Sequence, residues 1–212
     1  MRCLRIVFLV MIGVTVFNCG TPILEPFYVA SPFDTEPPEY EEDSQLGFYE
    51  GNTAFANRHK QYGMYVHAIH DTTHDETWIS ALDLIPCNEA QSLTPSLEWR
   101  LVLKYKDEIC EAQLMSIRRE RDKTNPKAYH ERLRKHTVTA CHLDFDNFME
   151  DYTNSKGNYV GKYFAGSFNL EFLDADSGEK RLLTGGRFRI ITNKVGDNMI
   201  EQHEDDEYFN IN

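Results

Sequence analysis

The chain has 212 residues, with 34 acidic against 22 basic side chains, a net charge of −12 and 41% hydrophobic residues. That is enough for one ordinary globular domain with a real core. The negative balance argues against nucleic acid as a partner, because phosphate contacts need a concentrated basic surface.

The first eighteen residues read as an export signal. Arg2 and Arg5 precede an unbroken apolar run from Ile6 to Phe17. Those twelve residues would rise about 18 Å as a helix, short of the roughly 30 Å core of a bilayer. A basic start followed by a short apolar run is the pattern of a signal peptide. After it comes Val16-Phe17-Asn18-Cys19-Gly20 with no small-x-small cleavage site. This segment resembles a bacterial lipoprotein signal. The resemblance implies that Cys19 is acylated on sulfur and becomes the mature N-terminus, so that membrane lipid is a partner.

Residues 19–50 then read as an acidic, proline-rich spacer. Pro22, Pro26, Pro32, Pro37 and Pro38 lie in it, and residues 25–50 hold eight acids and no base. Proline and like charge both extend a chain. A β-rich domain is expected over 51–199, followed by an acidic tail over 200–212 with five acids and no base.

Within the body the apolar pattern favours period two. Tyr62–His70 is strand-like, and Thr77–Ile85 fits helix and strand almost equally, with strand preferred. Trp99, Leu101, Leu103 and Tyr105 alternate with Arg100, Val102 and Lys104, a strand with one face partly wet, and Ile109–Ile117 and Thr137–Phe145 alternate likewise. The clearest element is a hairpin: Val160–Leu173 and Leu182–Ile190 alternate on either side of Asp174-Ala175-Asp176-Ser177-Gly178. Gly185-Gly186 inside its second strand suggests a bulge or a close backbone approach. The fold class is therefore mainly β, an antiparallel sandwich or open barrel. The hairpin also looks like the closing hairpin of small β-sandwich bacterial lipoproteins, on Gly161, Gly166, Phe168, Thr184, Gly186 and Phe188. That likeness implies a surface or periplasmic protein and supplies no mechanism.

Four groups are candidates for chemistry. His67, His70 and His74, with Asp71, Asp75 and Glu76, form the densest set of metal-ligand types; a strand through His67 and His70 would point them to opposite faces. Arg118, Arg119, Arg121, Arg132, Arg134 and Lys135 form a basic segment suited to an anionic partner, with Lys127–Lys135 as a short exposed helix or loop. Cys110 and Cys141 can form a disulfide if Ile109–Ile117 pairs with Thr137–Phe145 and Leu114 faces Thr137, which leaves Cys87 as a thiol. No G-x-S-x-G, S-x-x-K or H-E-x-x-H occurs, so no enzyme and no cofactor are implied.

The function expected is a membrane-anchored lipoprotein, at the outer membrane or cell surface. Its β domain would bind or scaffold an envelope protein, a glycan or a small ligand without catalysis. The alternative is a soluble secreted or periplasmic protein that binds a metal or ligand; a hydrolase without a local signature is the weaker third.

Overall fold

The computed structural model describes residues 39–57, 66–89, 92, 94–125 and 128–203. The signal segment, Cys19 and the first part of the spacer lie outside them.

Ten strands follow in chain order: β1 (Gln45–Glu50), β2 (Thr53–Asn57), β3 (Val66–Asp71), β4 (Glu76–Pro86), β5 (Leu97–Lys106), β6 (Ile109–Arg121), β7 (Tyr129–Thr153), β8 (Tyr159–Leu173), β9 (Lys180–Thr192) and β10 (Val195–Gly196). A five-residue helix, α1 (Met199–His203), closes the described chain. The protein is mainly β. Eight strands run antiparallel in the closed circuit β4-β2-β1-β9-β8-β7-β6-β5, and β5 pairs back to β4. β3 flanks β4 beyond β2, and β10 adds to β3 in parallel. The mainly β, antiparallel fold expected as a sandwich or open barrel is thus a barrel that closes; closure removes the free edges that an open sheet must protect.

Alternation explains the core. One face of each strand turns inward, and the interior is filled by rings: Phe48, Phe55, Phe164, Phe168, Phe172 and Phe188, with Trp99, are essentially inaccessible to water. Each such ring contributes about 1.5–3 kcal/mol by burial. Edge-to-face pairs such as Phe55–Trp99 and Trp99–Phe172 add to that. The Thr77–Ile85 stretch is strand, as its alternation favoured.

Two expectations are corrected. The spacer does not extend to residue 50, because Gln45–Glu50 forms β1 between β2 and β9. Leu46 and Phe48 carry an inward face there, a two-residue signal that the surrounding acids obscured. Of the Lys127–Lys135 segment, Lys127 lies outside the described residues and Tyr129–Lys135 is strand, not helix. From Tyr129 it is the start of β7, paired residue by residue with β6 as far as Arg121 opposite Tyr129. The β6–β7 ladder supplies backbone partners that an isolated helix of nine residues could not match.

Glycines set where the wall comes closest to itself. A side chain on Gly166 would lie 2.1 Å from the Asp144 carbonyl oxygen, and one on Gly186 would lie 2.5 Å from that of Phe168. Gly185, at φ +59°, stands where the β8–β9 register shifts between Phe168 and Leu170. The bulge read from Gly185-Gly186 is therefore present.

The ends of β4 mark the two mouths of the barrel. Glu76 and Pro86 are separated by ten strand steps, about 30 Å along the chain. Near Glu76 lie the β3–β4 turn and the β5–β6 turn at Asp107-Glu108. Near Pro86 lie the β1–β2 turn, Leu97 and Arg181.

Candidate functional site

The three histidines do not converge. His70 faces the barrel, its ring edge-on to Phe148 at 5.5 Å, with Nδ1 2.9 Å from Thr77 Oγ1. His67, three positions earlier on β3, lies on the opposite face. His74 sits in the β3–β4 turn with Nδ1 3.3 Å from Asp71 Oδ1. No group of three or more His, Cys, Asp or Glu among the described residues is arranged to hold a metal ion. Asp71 instead organises the turn. Its carboxylate accepts the backbone N–H groups of Thr73, His74 and Ile200, which ties α1 to the barrel. Burial pushes the Asp71 carboxyl up, but those donors outweigh it and hold it below the usual range.

Cys110 and Cys141 are joined in a disulfide, with Cα atoms 5.3 Å apart, and Cys87 is a free thiol. The register that suggested this bond is off by one along the ladder: Leu114 faces His136, not Thr137. Thr139 supplies the missing step. It is an extra residue on β7, where pairing with β8 jumps from Val138–Phe172 to Ala140–Glu171. That bulge advances β7 by one before Cys141.

The basic segment is largely compensated within the chain. Arg119 is held between Glu98 at 2.8 Å and Glu131 at 2.7 Å, and Arg132 and Arg134 share the Asp176 carboxylate. Arg121 lies over the Tyr129 ring. Arg118 faces Arg132 across the ladder, and Lys135 faces Met115. The segment forms a hairpin arm rising from the Pro86 end, its charge partly balanced by Glu98, Glu131 and Asp176.

Ser116, His136 and Asp174 cluster beneath this arm in a way that superficially resembles a nucleophile with its base. The wiring runs the other way. His136 Nδ1 accepts the Ala175 N–H at 3.1 Å, so the ring proton sits on Nε2 and is donated to Ser116 Oγ at 2.8 Å. A general base would need that lone pair free toward the hydroxyl. Asp174 does not touch the ring. It accepts the N–H groups of Asp176 and Ser177 and an Arg181 N–H, closing the β8–β9 turn. Chiefly the Ser177 N–H holds its carboxyl far below the usual range, against the effect of burial.

Both mouths are concave. At the Pro86 end a cleft of about 630 Å³ includes Glu50, Glu89 and Arg181. Its polar groups are already engaged: Arg181 binds Glu50 and Asp174, and Glu89 accepts the Ser96 N–H and hydroxyl at 2.6 Å each. At the Glu76 end a cleft of about 430 Å³ has aromatic walls, Tyr105, Phe145 and Phe148, and four carboxylates, Asp75, Asp107, Glu108 and Asp144, with no lysine or arginine lining it. The nearby Lys104 and Lys106 turn away to Glu76, at 3.0 and 3.5 Å. Asp107 and Glu108 make no hydrogen bond or ion pair with a described residue. Asp75, Asp107 and Glu108 also have positive φ, at 49°, 50° and 63°. At Asp107 and Glu108 this is the conformation that a two-residue hairpin turn requires, with glutamate its less usual occupant. The acidic mouth is the candidate site.

Little in the local residue pattern points to this cleft. Lys106-Asp107-Glu108-Ile109 between two alternating runs is a readable two-residue hairpin turn, but only barrel closure brings Phe148 beside Asp75 and Tyr105. No protein-family model matches the chain, and no curated protein or solved structure is significantly similar to it.

Proposed function

We propose that the chain is a lipid-anchored protein on the extracytoplasmic side of a membrane, with a β-barrel that acts as a non-catalytic binding module. The anchor reading rests on Arg2, Arg5, the apolar run Ile6–Phe17 and Cys19. The observation that carries the address is the Cys110–Cys141 disulfide, since such bonds persist in oxidising compartments and are rare in the cytosol. The binding role is supported by an open, carboxylate-rich cleft at one mouth with no lysine or arginine in its lining, and the non-catalytic role by a Ser116–His136 pair whose proton points the wrong way for base catalysis.

One acyl chain holds a protein on a membrane only marginally, whereas two or more hold it stably. Cys19→Ala is therefore expected to move the protein from the membrane fraction to the soluble fraction of disrupted cells. If wild type and variant partition alike, the anchor is excluded and the soluble secreted or periplasmic reading takes its place.

A further inference from the structure

We propose that the acidic mouth binds an alkylammonium group, supplied by a free organic amine or by a lysine-type side chain. This rests on the reading of the barrel as a binding module and is independent of the anchor.

The cleft, about 430 Å³, falls within the size range of small-ligand sites. Its walls combine two features that one ligand chemistry satisfies together. Tyr105, Phe145 and Phe148 pack edge to face, with centroids at 5.1 and 4.8 Å, and Phe148 remains 38% exposed. Aromatic faces attract cations and bury alkyl carbon. Around them stand four carboxylates: Asp144 meets His142 Nε2 at 2.9 Å, while Asp107 and Glu108 have no ion-pair partner among the described residues, so an anionic ligand would be opposed by charge.

A buried group behind the wall points to the same ligand. The His70 side chain is only 3% exposed, and its neighbours Thr77, Asp75 and Phe148 all belong to the cleft wall. Nδ1 is bound to Thr77. Nε2 stands 3.9 Å from Asp75 Oδ1, beyond hydrogen-bond distance, and has no other partner among the described residues. In the tautomer that donates Nδ1–H to Thr77, a lone pair on Nε2 faces the carboxylate. An N–H donor placed between the two satisfies both. A primary ammonium supplies such donors, and a quaternary ammonium does not. Metal ions are a poorer fit, since no metal-holding group of side chains is present among the described residues.

The test is calorimetric titration of the full chain in mild detergent with n-butylammonium chloride, tetramethylammonium chloride and Nα-acetyl-lysine amide, against sodium chloride at equal ionic strength. Saturable binding of butylammonium or the lysine amide is expected, stronger than that of tetramethylammonium. Whichever of the two binds tighter identifies the source, a free amine or a presented side chain. Binding should weaken about tenfold or more in Asp107→Asn/Glu108→Gln and in Phe148→Ala, with circular dichroism unchanged. The exposed, isosteric double variant keeps the test valid if Phe148→Ala fails to fold. Absence of saturable binding, equal heats from sodium chloride, or full binding by the double variant would overturn the proposal. Cys19→Ala should bind as wild type does, so failure here leaves the anchor untouched, and failure of the anchor leaves this untouched.

Discussion

His136 shows how one side chain can link the core to pH. Its ring packs against Trp99 and Phe172 at 5.2 Å from each, and both nitrogens are engaged. Burial is the largest influence and lowers its pKa from the ordinary 6.5, with Arg118 and Arg181 acting in the same direction and Asp174 against them. His70 is shifted the same way, chiefly by burial. A lowered histidine pKa means that below pH 6.5 the unfolded chain takes up protons that the folded chain refuses. The stability from these neutral rings is therefore complete above that pH and declines as pH falls through and below it. Urea unfolding between about pH 7 and about pH 5 should show this acid slope. His136→Gln should make it shallower without abolishing it, because His70 remains. An unchanged slope would mean that His136 is not buried neutral.

At the scale of elements, the β7 bulge and the disulfide depend on one another. Thr139 is the extra residue that restores the count between Cys110 and Cys141, and its hydroxyl donates to the Glu171 carbonyl and carboxylate. Closing a loop with a separation of 31 residues is worth about 3–4 kcal/mol on the chain-entropy model. Cys110→Ala/Cys141→Ala should lose up to about that much in urea unfolding. Wild type under reducing conditions should unfold at the same reduced midpoint. If the pair of substitutions is neutral, the bond does not form in the protein. The close crossings at Gly166 and Gly186 set a second expectation: Gly166→Ala should cost at least about 1–3 kcal/mol, because the clash is with backbone and not with a side chain that can turn aside.

Elements of this kind explain what was legible in the sequence. The β8–β9 hairpin could be read because fifteen- and thirteen-residue strands repeat their alternation many times, with an Asp-Ser-Gly turn between them. β1 was missed because six residues offer only Leu46 and Phe48 as an inward face, beside a run of acids. The basic arm was misread because Tyr129–Lys135 is mostly exposed and its strand character comes from pairing with β6. The candidate site was hidden for another reason. Its carboxylates and rings come from β3–β4, β5–β6 and β7, and nothing local records that those segments meet.

Over the whole molecule the barrel separates charge. Asp75, Asp107, Glu108 and Asp144 line one mouth, while the arm with Arg118, Arg132 and Arg134 rises beside Arg181 at the other end, partly balanced by Asp174 and Asp176. Glu39, the first described residue, meets Ser155 in the β7–β8 turn through that hydroxyl at 3.0 Å. The chain therefore enters the barrel at the acidic end, the end to which β7 runs. In the proposed anchored state, the spacer before Glu39 would tether the barrel by its binding end.

Intact-mass measurement of the mature protein from cell membranes decides whether Cys19 carries the proposed anchor. The expected result is an N-terminus at Cys19 with a mass excess equal to a thioether-linked glyceryl group carrying its acyl chains, of which alkaline hydrolysis removes the ester-linked chains and leaves the glyceryl thioether. An unmodified N-terminus, or one at any residue other than Cys19, would contradict it.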